Sequence, residues 1–255
     1  MFGWSINLFR IRGIRISLDV TFLALLAYFG YNGWKAYGMP GLWWSAATLC
    51  AFFACVVFHE LGHSLTAMRF GVHVRRILLT VIGGVAQFDR IPRRPSQELL
   101  ITIAGPAVNF AIAGVLWLLI GFPEGPDVGS IPLSPLDLGH TLLVWNIWVG
   151  LFNLIPAFPM DGGRILRALL AMRLPYLKAT FWAATVGKMI TVPGALLAFY
   201  YGDYFIGLIC LFIFPAGEAE YRSVKRQEAE EAHWRESLHP PVVTPPPDEP
   251  PILNL

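Results

Sequence analysis

The chain has 255 residues, of which 55% are hydrophobic and only 14% are charged. Soluble domains carry roughly a quarter charged residues, so this balance excludes an ordinary soluble domain and points to a membrane protein. A formal net charge of +2 excludes the basic field that nucleic-acid binding needs, and Cys50, Cys55 and Cys210, each in an apolar run, form neither a disulfide framework nor a metal-type pair.

At the N-terminus, no small-residue cleavage site follows the first apolar stretch, so no removable signal peptide is expected. Ile6 to Val20 alternates apolar and polar residues and reads as strand. Crossing the hydrocarbon core takes about 20 apolar residues as a helix. Candidate spans run from Leu18 to Tyr37, Leu42 to Met68, Leu99 to Phe122, His140 to Ile155 and Leu177 to Tyr201, with a shorter sixth from Tyr204 to Pro215. Between the second and third, Val72 to Phe88 is β-branched and glycine-interrupted, and reads as strand again.

The basic residues fall on every second connection. Arg10, Arg12 and Arg15 precede the first span, and Arg69, Arg75, Arg76, Arg90, Arg93 and Arg94 follow the second. Arg164, Arg167, Arg173 and Lys178 follow the fourth, and Arg222, Lys225 and Arg226 follow the sixth. The positive-inside rule then places both termini and both strand segments in the cytoplasm. The expected fold is mainly α: a polytopic membrane protein with about six transmembrane helices and a small cytoplasmic-side β-sheet. Residues 1–216 form the membrane-embedded core. Residues 217–255 form a polar, proline-rich cytoplasmic tail, with an exposed helix over Tyr221 to Trp234 and a disordered end. Lys188, near the middle of the fifth span, has two readings: it pairs with an acid or a carbonyl beside a polar cavity, or it snorkels.

Chemistry concentrates at two places. His59-Glu60-Leu61-Gly62-His63 is HExxH inside an apolar span. Residues four apart share a helix face, so both imidazoles can bind one zinc ion, while Glu60 can reach a water on that ion and act as general base. Ionisable groups inside a span are costly and imply function by default. Catalytic zinc keeps three protein ligands and one open position. Asp161 is the best third ligand, because it follows the fourth span on the side toward which the histidines sit. His140 lies at the outer end of that span, and His73 lies beyond the second. Asp161 ends the stretch Asn153-Leu154-Ile155-Pro156-Ala157-Phe158-Pro159-Met160-Asp161-Gly162-Gly163, where two prolines break the helix and two glycines permit tight backbone. Irregular backbone at membrane depth is tolerated only when buried in protein or lining a water-filled cavity.

The pair HELGH and NLIPAFPMDGG, with IAGPAVNF at residues 103–110, resembles the site-2 protease family of intramembrane zinc metalloproteases (peptidase family M50). The likeness extends from about Phe9 to Pro215, in a minimal form without the PDZ or CBS domains of some relatives. It implies one zinc ion on His59, His63 and Asp161, Glu60 as base, and Asn153 lining the site against substrate or oxyanion. It also implies cleavage of a transmembrane protein substrate within the lipid bilayer, as in regulated intramembrane proteolysis. The expected location is a bacterial or archaeal cell membrane. Within Val81 to Phe88, the segment Gly83-Gly84-Val85-Ala86 is the best candidate for an open strand edge that captures unwound substrate. Two other readings compete, a membrane zinc carrier and a catalytically inactive adaptor. No internal repeat supports the first, and the complete set of ligands and base argues against the second.

Overall fold

The computed structural model describes residues 5–81, 83–89, 92–123 and 131–238. Both segments read as strand form sheet, and each folds back on itself as a hairpin. Strands β1 (Ser5–Ile11) and β2 (Ile14–Asp19) pair antiparallel across Arg12 and Gly13, which both take positive φ. That backbone matches the right-handed strand twist in a two-residue turn, and glycine accepts it without strain. Strands β3 (Val74–Thr80) and β4 (Gly83–Phe88) form the second hairpin. β2 joins β3 in parallel, giving a four-stranded sheet in the order β1-β2-β3-β4. β4 is therefore an edge strand.

The alternation decides what the sheet buries. Ile16 faces Ile77 and Leu18 faces Leu79 across the central pair, all turned to the same side. They pack with Phe53, Val57 and Leu61 of the next helix. Ile16 and Ile77 are fully buried, which is worth about 1.5–3 kcal/mol each. The opposite face carries Arg15 beside Arg76.

Helix α1 (Val20–Arg69) starts at Asp19, whose carboxylate accepts from the Thr21 amide (2.9 Å) and hydroxyl (2.7 Å). Those bonds satisfy an orphan donor of the first turn. Tyr37 and Gly38 leave helical geometry, and Pro40 follows. The chain reverses there, at the break between the first two expected spans. Gly33 and Gly41 lie backbone to backbone, so a Cβ on either would overlap the other's carbonyl oxygen. The two arms run side by side, with Phe22 and Phe53 in edge contact at 4.7 Å.

Helices α2 (Pro95–Ile120), α3 (Pro135–Asn153), α4 (Asp161–Ala171), α5 (Tyr176–Tyr200) and α6 (Tyr204–Leu238) follow. By length and composition, α1, α2 and α5 are long and apolar enough to cross a membrane. Two expectations are refined. The fourth apolar segment begins five residues before His140, at Pro135, where Ser134 accepts from the Asp137 amide as cap. The sixth does not stop at Pro215: α6 continues as one helix to Leu238, because its second half finds partners. Glu218 accepts from Lys188 at 2.6 Å, Glu220 from Arg167 at 2.6 Å, and Tyr221 lies against Phe181. Lys188 is thus paired with an acid, 5.5 Å over the Phe214 ring. The proline-rich segment after Leu238, expected to be disordered, lies outside the described residues.

Candidate metal centre

His59 and His63 sit one turn apart on the second arm of α1, both buried. Their Nε2 atoms are 3.1 Å apart. The Asp161 Oδ2 lies 3.4 Å from the first and 3.2 Å from the second. Asp161 is the first residue of α4, where the helix dipole favours a negative charge. His140 takes no part in this cluster; its Nε2 faces the carbonyl of Ile120 at 3.4 Å.

Asp161 is delivered by the broken segment between α3 and α4. Helical hydrogen bonding ends at Leu154, and the chain turns through Pro156 and Pro159. Gly162 packs onto the Leu154 and Ile155 carbonyls so closely that no side chain fits, and a Cβ on Gly163 would lie 2.7 Å from the Phe158 amide nitrogen. Gly187 of α5 approaches Ala157 less tightly, at 3.1 Å for an added Cβ. The two glycines after Asp161 are therefore packing requirements of its loop.

Arg167, two turns along α4, anchors that helix. It is 1% exposed, donates to Glu98 of α2 (2.8 and 2.5 Å) and to Glu220 of α6, and stacks on Phe158 and Tyr176. The charge pattern placed Arg167 among the basic residues that follow the fourth span and gave it no partner. It is interior to the protein, and the helix that presents Asp161 is tied through it to α2 and α6.

The donor atoms can be tested against a metal. The His63 Nδ1 lies 2.8 Å from the Ile101 carbonyl, and the His59 Nδ1 contacts the Asn109 Oδ1. Both partners are oxygens that only accept, so each Nδ1 carries its ring's proton and each Nε2 presents a lone pair. Asp161 Oδ2 is buried and has no hydrogen-bond donor among the described residues. Three electron-rich atoms thus face one another, and either added protons or one cation must sit among them. A tetrahedral ion with bonds of about 2.0–2.1 Å separates its donors by roughly 3.3–3.4 Å. The observed separations of 3.1, 3.2 and 3.4 Å fit zinc, with the nitrogen–oxygen donor set zinc favours. Gly105 of α2 keeps this space clear: a Cβ there would lie 2.8 Å from His59 Nε2 and would overlap the His63 ring.

Glu60 lies beside the cluster. Strand β4 runs against it: a Cβ on Gly84 would fall 2.6 Å from Glu60 Cγ and 3.2 Å from its Oε1. Of the expected strand segment, Gly84 thus lies against Glu60, and Val85 is half exposed. Asn153 ends α3 and donates one N–H to the Val149 carbonyl at 3.0 Å, leaving its second N–H free of that bond. Two functional candidates were missed from sequence. Asn109 lies in the IAGPAVNF stretch but carried no assigned contact, and Asn146 has no motif around it at all.

A buried two-histidine, one-carboxylate centre on an HExxH helix, set among apolar helices, is the architecture of a membrane metallopeptidase. The family model for peptidase family M50 matches residues 47–138 and 129–193, and the chain belongs to that family. A zinc metalloprotease of Methanocaldococcus jannaschii is 41% identical over 223 residues, which cover 88% of this chain and 62% of that protein. Stage IV sporulation protein FB of Bacillus subtilis is 29% identical over 155 residues, 57% of this chain and 51% of that protein. The chain thus spans roughly three-fifths and half of those relatives' lengths. Among solved structures, the site-2 protease from Methanocaldococcus jannaschii matches with a TM-score of 0.60 at 40% identity, over 86% of this chain and 95% of that one.

Proposed function

We propose that this chain is an intramembrane zinc metalloprotease that hydrolyses a peptide bond in or near a transmembrane segment of another protein. The observation that carries the reading is the convergence of two imidazole lone pairs and an orphaned carboxylate at tetrahedral zinc spacing, beside Glu60. His59, His63 and Asp161 are the ligands. Zinc, when bound, supplies Lewis-acid polarisation of the attacking water and of the scissile carbonyl. Glu60 takes the proton from that water and returns it to the leaving amine. The free N–H of Asn153 is available to a developing oxyanion.

A scissile bond inside a helix is shielded by its own turns, so a substrate helix must unwind first. β4 is a sheet edge running beside Glu60, which supports capture of the unwound backbone by strand addition along Gly83, Gly84, Val85 and Ala86. Glycine at 83 and 84 leaves room for another backbone to approach. Ile82 lies outside the described residues.

The charge alternation supports six spans, with the two arms of α1 as the first pair, both termini cytoplasmic and the centre in the cytoplasmic half of a bacterial or archaeal cell membrane. Residues 1–216 are the catalytic core and 217–255 the cytoplasmic tail, whose first residues, Glu218 to Tyr221, pack back onto that core. The substrates are membrane proteins whose cleavage releases a regulated segment.

One comparison tests the reading. Purified protein should cleave a membrane substrate only when zinc is present, and Glu60→Gln should lose turnover while holding zinc at the wild-type level. Cleavage by Glu60→Gln at the wild-type rate would remove the base. Transmembrane zinc movement without any cleavage would favour a carrier.

A further inference from the structure

We propose that Asn146 and Asn109 form a one-way hydrogen-bond relay that fixes which nitrogen His59 offers to the metal. Asn146, on α3 and two hydrogen bonds away from the ligand, is on this view a positioning residue for the zinc site. The proposal rests on the metal-centre reading above.

The relay begins at a group whose polarity is not in question. The Leu142 backbone carbonyl can only accept, and the Asn146 Nδ2 lies 2.8 Å from it, one turn along α3. The Asn146 Oδ1 must therefore face the other way, where the Asn109 Nδ2 donates to it at 2.9 Å. That turns the Asn109 Oδ1 toward the His59 Nδ1. An oxygen there demands a proton on Nδ1, and Nε2 keeps its lone pair for the ion. Amide orientation is ambiguous for an isolated asparagine, but the anchor at Leu142 removes the ambiguity at both.

His63 reaches the same state in one step, because the Ile101 carbonyl accepts from its Nδ1 directly. His59 has a side-chain amide as its partner, and an amide can turn over. Asn109 is 2% exposed and Asn146 1% exposed, so water has little access to supply a missing bond. Without Asn146, Asn109 can rotate by half a turn and present its NH2 group to His59. Nδ1 must then accept, and the ring proton moves to Nε2, the atom that faces His63 and Asp161. Zinc would have to displace that proton before binding. Outer partners of metal-bound histidines typically contribute 10- to 100-fold in affinity.

The test uses the Glu60→Gln protein, in detergent micelles, with zinc affinity read by competition with a chromophoric chelator. Asn109→Leu and Asn146→Leu should each weaken zinc by about tenfold or more. The double variant should bind no more weakly than Asn109→Leu alone, because Asn146 acts only through Asn109. Histidine-selective 15N NMR of the metal-free protein should show His59 protonated at Nδ1, and Asn146→Leu should move proton occupancy to Nε2. A leucine that prevents folding is replaced by Asn146→Ser, whose hydroxyl can still bond the Leu142 carbonyl but is too short to reach Asn109. Wild-type affinity in the residue-146 variant, multiplicative losses in the double variant, or an unchanged His59 spectrum would each overturn the relay. His59→Ala separates the two levels. If it retains zinc, the metal-centre reading falls and the relay with it; if it loses zinc while Asn146→Leu does not, the relay alone falls.

Discussion

Gly105→Ala puts a methyl group where the proposed metal ligands His59 and His63 meet. The added Cβ would lie 2.8 Å from His59 Nε2 and overlap Nε2 and Cε1 of His63, whereas ordinary contact begins near 3.4 Å. His59 must therefore retreat by about 0.6 Å and His63 by more. Neither ring can simply pivot, because each is held at Nδ1, one by Asn109 and the other by the Ile101 carbonyl. Overpacking of a fitted interior costs about 1–3 kcal/mol. At about 1.4 kcal/mol per tenfold, zinc affinity should fall by about 5- to 150-fold. The metal-free protein should lose less stability than the loaded one, since without the ion the rings have room to part. Chelator competition gives the affinity, and thermal unfolding with and without zinc gives the two stabilities. Wild-type zinc affinity in Gly105→Ala would refute the argument that this glycine keeps the metal space open.

Three further outcomes are expected. Gly84→Ala pushes on Glu60 rather than on the ligands, so kcat should fall by about a hundredfold while zinc affinity stays unchanged; an equal loss of zinc would place β4 against the wrong group. Arg167→Met leaves Glu98 buried without its partner and should destabilise the protein by about 3–5 kcal/mol, with much of the loss recovered in the Arg167→Met/Glu98→Gln double variant; a thermal unfolding shift near zero for the single change would contradict the buried pair. Reporter fusions after Pro92 and after Arg222 should read cytoplasmic and a fusion after Pro123 external, and an external signal at Pro92 would overturn the orientation.

What the sequence made legible was whatever depends on short spacing. HELGH needs only the helical repeat to bring two imidazoles together, and the structure has them 3.1 Å apart. The prolines and glycines around Asp161 announce a broken helix, and the glycines prove to be sites where a Cβ would collide with the loop's own backbone. Alternation in Ile6 to Val20 and β-branching in Val72 to Phe88 signalled strand, although neither revealed that each segment contains its own turn. Features set by pairing across the fold stayed hidden. Arg167 carries the same charge as Arg173, and only its contact with Glu98 and Glu220 separates the interior arginine from its exposed neighbour. Pro215 looked like a terminus because the apolar run ends there; the helix continues because Glu218 and Glu220 gain partners beyond it.

These hidden pairs bear directly on the centre. An ion site among apolar helices needs lone pairs where unpaired polar groups are most costly. Each histidine here has its one ring proton engaged on the side away from the metal, which leaves a lone pair as the only thing it can offer inward. Asp161 cannot be treated the same way, since a donor on Oδ2 would compete with the ion, and that oxygen is left without one. Its position is secured instead through the backbone. Gly162 and Gly163 seat the start of α4 on the preceding loop, and Arg167 fixes the helix further along, so the carboxylate is held by the rigidity of its helix. On this argument the two kinds of support are not interchangeable. Loosening an asparagine should alter which atom His59 presents and leave its location intact, whereas loosening Arg167 should move Asp161 as a whole and leave its chemistry intact.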